Sequence, residues 1–398
     1  MRSRMLVPIV ALVVGLLGVA GALALSSPTA TKRRVRQGFV IGVMADGPLL
    51  TNGVNLSEQL DSMVASGVES LRVAVDWSAA QPYRTFNQVP ATQRSEFQDV
   101  GGVPTRFSQL DRIVAPAAAR GMSVLPVVEY TPAWDARPPV SPASAPRSPA
   151  PYAAFVGALA RRYGPHGTFW AAHPGISPVP VRMWQIWNEP NFLSYWSERP
   201  FAPSYVRLLS AARAALKSAD PGAQLVLAGL PDFSWQYLAQ IYEVPGAIRL
   251  FDVVAIHPYT AQASGVIMIL RKVRAVMDRF GDHGKPILAT EVSWPSSAGK
   301  APDQFGVGDT ETVQAQRLDQ AIGLLADNRS KLGLMGFYWY TWMGDEGPRA
   351  SPYAFDYAGL LKYVRGQVSP KPALAVFKRR ALAIEGCKRK AKDAGSCG

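Results

Sequence analysis

The 398-residue sequence predicts an α/β chain closed into one (β/α)8 barrel, the TIM-barrel architecture. Two observations carry that prediction. Between residues 38 and 345 eight short apolar runs alternate with longer amphipathic ones. No glycine-rich turn follows the first run, since Gly42, Gly47 and Gly53 do not make the fingerprint of an open doubly wound sheet. The runs are Phe39–Met44, Ser70–Val75, Ser123–Val128, Val181–Trp187, Gln224–Ala228, Phe251–Ile256, Pro286–Thr290 and Leu334–Tyr340. Several are apolar on both faces, as strands between a packed interior and covering helices must be.

The intervening segments read as helices. Asn55 can cap the first, with Glu58 as its reciprocal partner, and Leu56, Leu60, Met63 and Val64 form its buried stripe. Leu110, Ile113, Val114 and Ala118 mark a second, which Gly121 can close. Further stripes run through Phe155 and Leu159, Tyr205 to Leu216, Ile269 to Met277, and Leu318 to Leu325. The crossover between the fifth and sixth strands, Trp235–Ile241, is short. Ala358–Val376 is expected to supply the closing helix. The domain boundaries are then 1–36 (signal or anchor with a basic linker), 37–375 (barrel) and 376–398 (basic tail). Two long irregular loops, Ala79–Thr105 and the seven-proline Pro132–Pro151, leave the rim that carries active sites in such barrels and can wall a binding cleft.

The formal charge of +13 is concentrated at the ends: residues 1–36 and 371–398 supply all but one of those charges. A nearly neutral body argues against nucleic-acid binding and against a heavily acidic polymer as ligand. Met5–Leu25 is an uncharged apolar run after Arg2 and Arg4, which reads as either a cleaved secretory signal or a retained membrane anchor. Both place the body outside the cytoplasm, and the basic ends could then lie on anionic lipid or cell wall. The two cysteines, Cys387 and Cys397, can close a small disulfide loop in the tail, so thiol chemistry in the core is excluded. The four histidines form no metal-binding pattern, and neither a metal nor a cofactor is expected.

The chemistry lies at two strand ends. Met183-Trp184-Gln185-Ile186-Trp187-Asn188 runs into Glu189, and Pro190 cannot continue the ladder. Pro286–Thr290 runs into Glu291, followed by Val292-Ser293-Trp294-Pro295. Two carboxyls across a barrel mouth, each beside tryptophan, suit cleavage of a glycosidic bond: one protonates the leaving oxygen and the other faces the anomeric carbon. A separation of about 5–5.5 Å gives retention of configuration and about 6.5–9.5 Å inversion. Asn188 can donate to a sugar hydroxyl. His257 and Tyr259 close the sixth strand, and Tyr259 can donate to a nucleophilic carboxylate. Arg72, inside an apolar strand, needs a carboxylate partner, either one of the two glutamates or Asp76. Trp294 and Trp339 are candidate platforms for a sugar ring.

Trp187-Asn188-Glu189-Pro190 and Thr290-Glu291, with Arg72 and His257-Pro258-Tyr259, resemble the signatures of the large clan of retaining glycosidases built on (β/α)8 barrels, clan A. The resemblance covers residues 38–375. It implies that Glu189 is the acid/base, Glu291 the nucleophile, Arg72 and Tyr259 supports of the nucleophile, and Asn188 the partner of the sugar 2-hydroxyl. Thr131-Pro132-Ala133-Trp134 and Ser369-Pro370-Lys371-Pro372-Ala373 look most like the family of β-xylosidases and α-iduronidases, with the cellulase-type family close behind. Unlike many xylosidases of that family, the chain shows no β-sandwich after its barrel. The expected activity is retaining hydrolysis of an oligosaccharide, polysaccharide or other glycoside in carbohydrate metabolism. Transglycosylation and a catalytically silent, cell-surface glycan-binding barrel are the alternatives.

Overall fold

The computed structural model describes residues 38–303, 306–347, 352–386 and 393–395. The chain divides into the units Met1–Arg36 and Gln37–Gly398, of which the first lies outside the described residues. The second is the barrel. Its strands are β1 Val40–Met44, β2 Ser70–Asp76, β3 Ser123–Glu129, β4 Met183–Ile186, β5 Gln224–Val226, β6 Val254–Ile256, β7 Ile287–Val292 and β8 Leu334–Trp339. They pair in parallel in the order β5-β4-β3-β2-β1-β8-β7-β6. Parallel bridges from Val226 to Val253 and from Leu230 to Ile256 close the ring between β5 and β6. The eight-stranded barrel expected from the sequence is therefore the fold observed.

Crossover helices return the chain from each strand to the next: Leu56–Ala65, Ser108–Ala119, Pro149–Tyr163, Phe201–Ala219, Ser234–Tyr242, Ala263–Arg279 and Glu311–Leu332. Their ends follow local chemistry. Asn55 accepts from the Glu58 amide, Ser148 precedes a proline at the first turn, and Gly333 closes the longest helix at φ 62°. The fifth crossover, short as expected, is nine residues long.

Register decides which side chains face the interior. Leu125, Val226, Val253, Ala255, Leu288 and Tyr338 form one buried cluster with Val40 and Met183, and side chains from so many strands can meet only inside the barrel. Because side chains alternate along a strand, Val127 and Glu129 share the inward side with Leu125. On β2, Arg72, Ala74 and Asp76 lie opposite Leu125, Val127 and Glu129 and face inward too. Gln185 pairs with Val127.

Two expectations are corrected. Ala358–Val376 does not form the closing helix. Leu361–Val364 and Gln367–Pro370 make a hairpin paired with Met343–Asp345, and the closing helix is Pro372–Glu385. The reason is local: Arg365 and Gly366 both take positive φ, 50° and 84°, the geometry of a two-residue type I′ turn. The anchor expectation is corrected as well, because no helix among the described residues is long and apolar enough to cross a membrane. The two longest carry charge throughout: Arg207, Arg213 and Lys217 in one, and Glu311, Arg317, Asp319, Asp327, Arg329 and Lys331 in the other. Residues 5–25 themselves lie outside the described residues. So do Cys387 and Cys397.

Gly42 tests the interior packing. A Cβ there would come within 2.3 Å of the Tyr338 ring, whose hydroxyl is 2.8 Å from Ser70 Oγ. Gly42→Ala should cost about 1–3 kcal/mol through overpacking. The measurement is the urea midpoint; an unchanged midpoint would show that the ring can move aside without loss.

Candidate functional site

The mouth of the barrel is built from strand ends whose backbones leave regular geometry. After β4, Trp187 and Glu189 adopt φ of 71° and 41°. Left-handed conformations of bulky residues cost on the order of 1–3 kcal/mol each, so the surroundings must hold them. They do so through both neighbouring strands: Trp187 N donates to Val128 O at 3.0 Å and Glu189 N to Gly229 O at 3.2 Å. The Trp187 indole donates to Tyr195 O at 2.8 Å and meets Trp196 edge-on at 5.0 Å. On the opposite side, β7 carries an irregularity: Phe337 pairs with Ala289 but Trp339 pairs with Val292, leaving an extra residue at Thr290-Glu291. Such a bulge re-aims a side chain, and here it brings Glu291 round to the mouth.

Arg72 joins these elements. It is 1% exposed and donates from Nη1 to Glu291 Oε1 at 2.5 Å, from Nη2 to Asn188 Oδ1 at 2.8 Å and from Nε to Gln185 Oε1 at 2.8 Å. Its carboxylate partner is thus Glu291. Asp76 instead caps the short helix Trp77–Ala80, accepting from Ala79 N and Ser78 Oγ. Tyr259 donates its hydroxyl to Glu291 Oε2 at 2.7 Å. His257 Nδ1 lies 2.6 Å from Glu189 Oε1, and its Nε2 lies 3.4 Å from Glu291 Oε1 without hydrogen-bond geometry. With its carbonyl held by Arg72, Asn188 has its NH2 end left for a ligand.

The two glutamates are shifted in opposite directions. Burial raises the Glu189 carboxyl above its ordinary 4.5, against the pull of His257. Burial also pushes Glu291 up, but His257, Arg72 and the Tyr259 hydroxyl together outweigh it and hold Glu291 below 4.5. Two further carboxyls stand in the mouth that sequence reasoning did not single out. Asp46, beyond β1, is raised to about 6 by burial and is hydrogen-bonded to Thr341 Oγ1. Glu129, the last residue of β3, is raised to about 8 by burial.

Of the residues named from sequence, Arg72, Asn188, Glu189, His257, Tyr259 and Glu291 meet in this one network. Trp294 and Trp339 lie side by side, ring centres 6.3 Å apart, each about 1% exposed, with their N–H groups donated to Thr260 O and Ala358 O. Gln185 and Gly229 were missed. Gln185 had a signal, a lone polar residue in an apolar strand, the same sign that marked Arg72. Gly229 had none: a Cβ there would lie 1.9 Å from His257 Nε2, a closeness only the fold creates.

Among the described residues, Glu189, His257 and Glu291 also present ligand atoms within 4.8 Å of one another, close enough to suggest a metal site. The donor set fits poorly. Both Glu291 oxygens are taken by Arg72 and Tyr259 and His257 Nδ1 by Glu189, so a cation would compete with a guanidinium already in contact.

Gly229→Ala is expected to drive the His257 ring off Glu189 while leaving the barrel folded. Nitrogen-15 shifts of the His257 ring read the Nδ1 hydrogen bond directly. Unaltered shifts in a folded variant would mean that Gly229 does not set the ring position.

No protein-family model matches the chain, and no curated protein matches it by sequence. Solved structures do match in fold. A family 39 glycoside hydrolase from the gut symbiont Bacteroides cellulosilyticus WH2 superposes with a TM-score of 0.61 at 17% identity, over 86% of this chain and 63% of that one. The monomeric β-xylosidase from Caulobacter crescentus CB15 gives 0.58 at 17% identity, over 88% and 68%. The GH53 catalytic domain of Ignisphaera aggregans gives 0.55 at 22% identity, over 86% and 96%. The chain thus spans under two thirds of the first of these proteins. At such identities the likeness is one of fold, and the barrels it selects are glycoside hydrolases, β-xylosidases among them, the group whose strand-end motifs the sequence resembles.

Proposed function

We propose that the chain is a retaining glycoside hydrolase in which Glu291 is the nucleophile and Glu189 the acid/base. The observation that carries this reading is the pairing of the two carboxyls. One oxygen of each lies within 4.8 Å of the other, alongside His257, with opposed proton affinities. Oxygens that close favour the separation of about 5–5.5 Å used for retention over the wider gap of about 6.5–9.5 Å that admits a water between the carboxyls. The opposed shifts also favour an enzyme over a silent glycan-binding barrel, which has no use for one proton-holding and one proton-shedding carboxyl side by side.

The chemistry follows in two displacements. In the first, a Glu291 oxygen forms a bond to the anomeric carbon as the glycosidic C–O bond breaks, and its electron pair leaves with the aglycone oxygen. The Glu189 proton passes to that oxygen. In the second, Glu189, now ionised, takes a proton from water as the water oxygen attacks the anomeric carbon. The ester bond breaks and its electron pair returns to Glu291. Arg72 and Tyr259 keep Glu291 ionised and oriented between turnovers, and the Asn188 amide is placed for a hydroxyl next to the reacting carbon. An acceptor sugar in place of water in the second displacement would give transglycosylation by the same residues.

With an aryl glycoside that the protein cleaves, NMR should show the first-formed anomer with the configuration of the substrate; initial inversion ends the retaining assignment. Glu291→Gln should fold and lose turnover. Glu189→Gln should lose about 10²–10⁴-fold with poor leaving groups and much less with activated ones.

A further expected outcome is a bell-shaped dependence of kcat/KM on pH. Glu291 must be ionised to attack, so activity falls as pH drops through its lowered pKa. Glu189 must carry a proton, so activity falls as pH rises through its raised pKa. Tyr259→Phe removes a donor that favours ionised Glu291 and should move only the acidic limb, towards higher pH. A shift of the alkaline limb instead would reverse the two roles.

A further inference from the structure

Glu129 is a buried carboxyl in the mouth that the two displacements do not use. It ends β3, and the register of β3 with β2 turns it inward beside Asp76, on the same side as Leu125 and Val127. It is 6% exposed, and its Oε2 is buried with no hydrogen-bond partner. A buried polar atom left unmade costs about 1–3 kcal/mol, so a partner from outside the chain is the natural way to satisfy it. The groups facing it are Arg72, Glu291, Glu189 and Asp76, with the phenols of Tyr130, Tyr152 and Tyr195 beyond. Arg72 is the single cation among them, and it is already bonded to Glu291.

Building on the glycosidase reading, we propose that Glu129 is a specificity-determining residue that acts as a neutral carboxylic acid, donating through Oε2 to a hydroxyl of an uncharged sugar in the mouth. Burial supports the neutral form, holding the proton to about pH 8. The same surroundings define the substrate class. A uronic acid at Glu129 would bring another carboxylate near the charges of Glu189, Glu291 and Asp76, answered by one guanidinium already in use. A neutral pentose or hexose meets no such repulsion and supplies the acceptor that Oε2 lacks.

The first test needs no activity. In the full chain labelled with carboxyl-¹³C glutamate, one resonance, assigned by its absence in E129Q, should titrate with a midpoint near pH 8. It should also shift when xylose, glucose, mannose or galactose is added to saturation. A midpoint in the ordinary carboxylate range, or no response to any of these sugars, overturns the proposal even if no glycoside is cleaved. The second test is kinetic and uses a neutral aryl glycoside that the wild type hydrolyses. E129A should lose about 10- to 100-fold in kcat/KM, and E129Q, whose amide can still donate, should recover most of that loss. One monodeoxy version of the substrate should cost the wild type a similar factor and cost E129A little more. Additive losses across every deoxy position, or faster cleavage of the matching uronide, would sink the role of Glu129 while leaving retaining hydrolysis intact. A wild type that cleaves no glycoside would sink the glycosidase reading and leave the ¹³C titration and sugar response to decide Glu129.

Discussion

A guanidinium buried inside the barrel is the constraint on which the rest of the mouth depends. Removing Arg72 from water is affordable only if every donor finds an acceptor of good geometry. Three side chains answer it: Gln185 from β4, Asn188 from the turn after β4, and Glu291 from β7. The position of the arginine therefore dictates where both arms of the network end. Asn188 is held next to Glu189 by the chain, and Glu291 is held by the ion pair, so one cation sets the distance between the two carboxyls. With His257, the same charge lowers Glu291 against burial, and because Arg72 touches Glu291 and only faces Glu189 at longer range it helps to separate their proton affinities.

Local backbone irregularity is the second requirement. A regular β4 would alternate its side chains, and a regular β7 would turn Glu291 away once Leu288 faces inward. The left-handed residues Trp187 and Glu189 and the extra residue at Thr290-Glu291 break the alternation at both places. Aromatic packing behind the strands stabilises the break. Tyr152 donates to Val128 O at 2.7 Å, and Tyr205 donates to Ile186 O and accepts from Ala228 N, both at 2.8 Å. Tyr205 thus gives a carbonyl and an amide near strand ends a partner where the ladder gives way to irregular backbone, and Tyr152 adds a second donor to the Val128 carbonyl that Trp187 N already engages.

What could be read from the sequence divides along the same physical line. The strands were legible because a barrel strand buried on both faces is a short apolar run, and a charged or amide side chain within such a run must have a purpose. Arg72 stood out for that reason, and Glu189 and Glu291 because each ends such a run beside tryptophan. Glu129 is an inward-facing carboxyl that also ends an apolar run, Ser123–Val128, but it lacks the tryptophan two or three residues away that accompanies Glu189 and Glu291. Asp46 was hidden in the same way after β1. Gly229 and the turn at Arg365-Gly366 depend on backbone geometry: one on the closeness of His257, the other on two consecutive positive φ values. Neither closeness nor dihedral sign leaves a mark in apolar periodicity.

Lys371 shows how a resemblance can point to a residue before physics explains it. It lies in the Ser369–Ala373 stretch and is 2% exposed, a second buried cation besides Arg72. Its ammonium donates to Glu346 Oε1 at 3.0 Å, Ser296 Oγ at 2.8 Å and Tyr357 O at 2.7 Å. Burial lowers its pKa to about 8 despite the Glu346 partner. The folded state thus resists the proton that the unfolded chain would bind up to the ordinary 10.5. The burden of burying that charge is fully present below pH 8 and is relieved as pH rises from 8 to 10.5. An ion pair that carries such a burden is poor evidence for stability and better evidence for position. Here it fixes the start of the closing helix, Pro372–Glu385, to the segment after Trp294, where the Gln314 amide also binds Trp294 O. The segment that follows β7 is therefore tied down by a second buried cation, as Glu291 within β7 is held by the first.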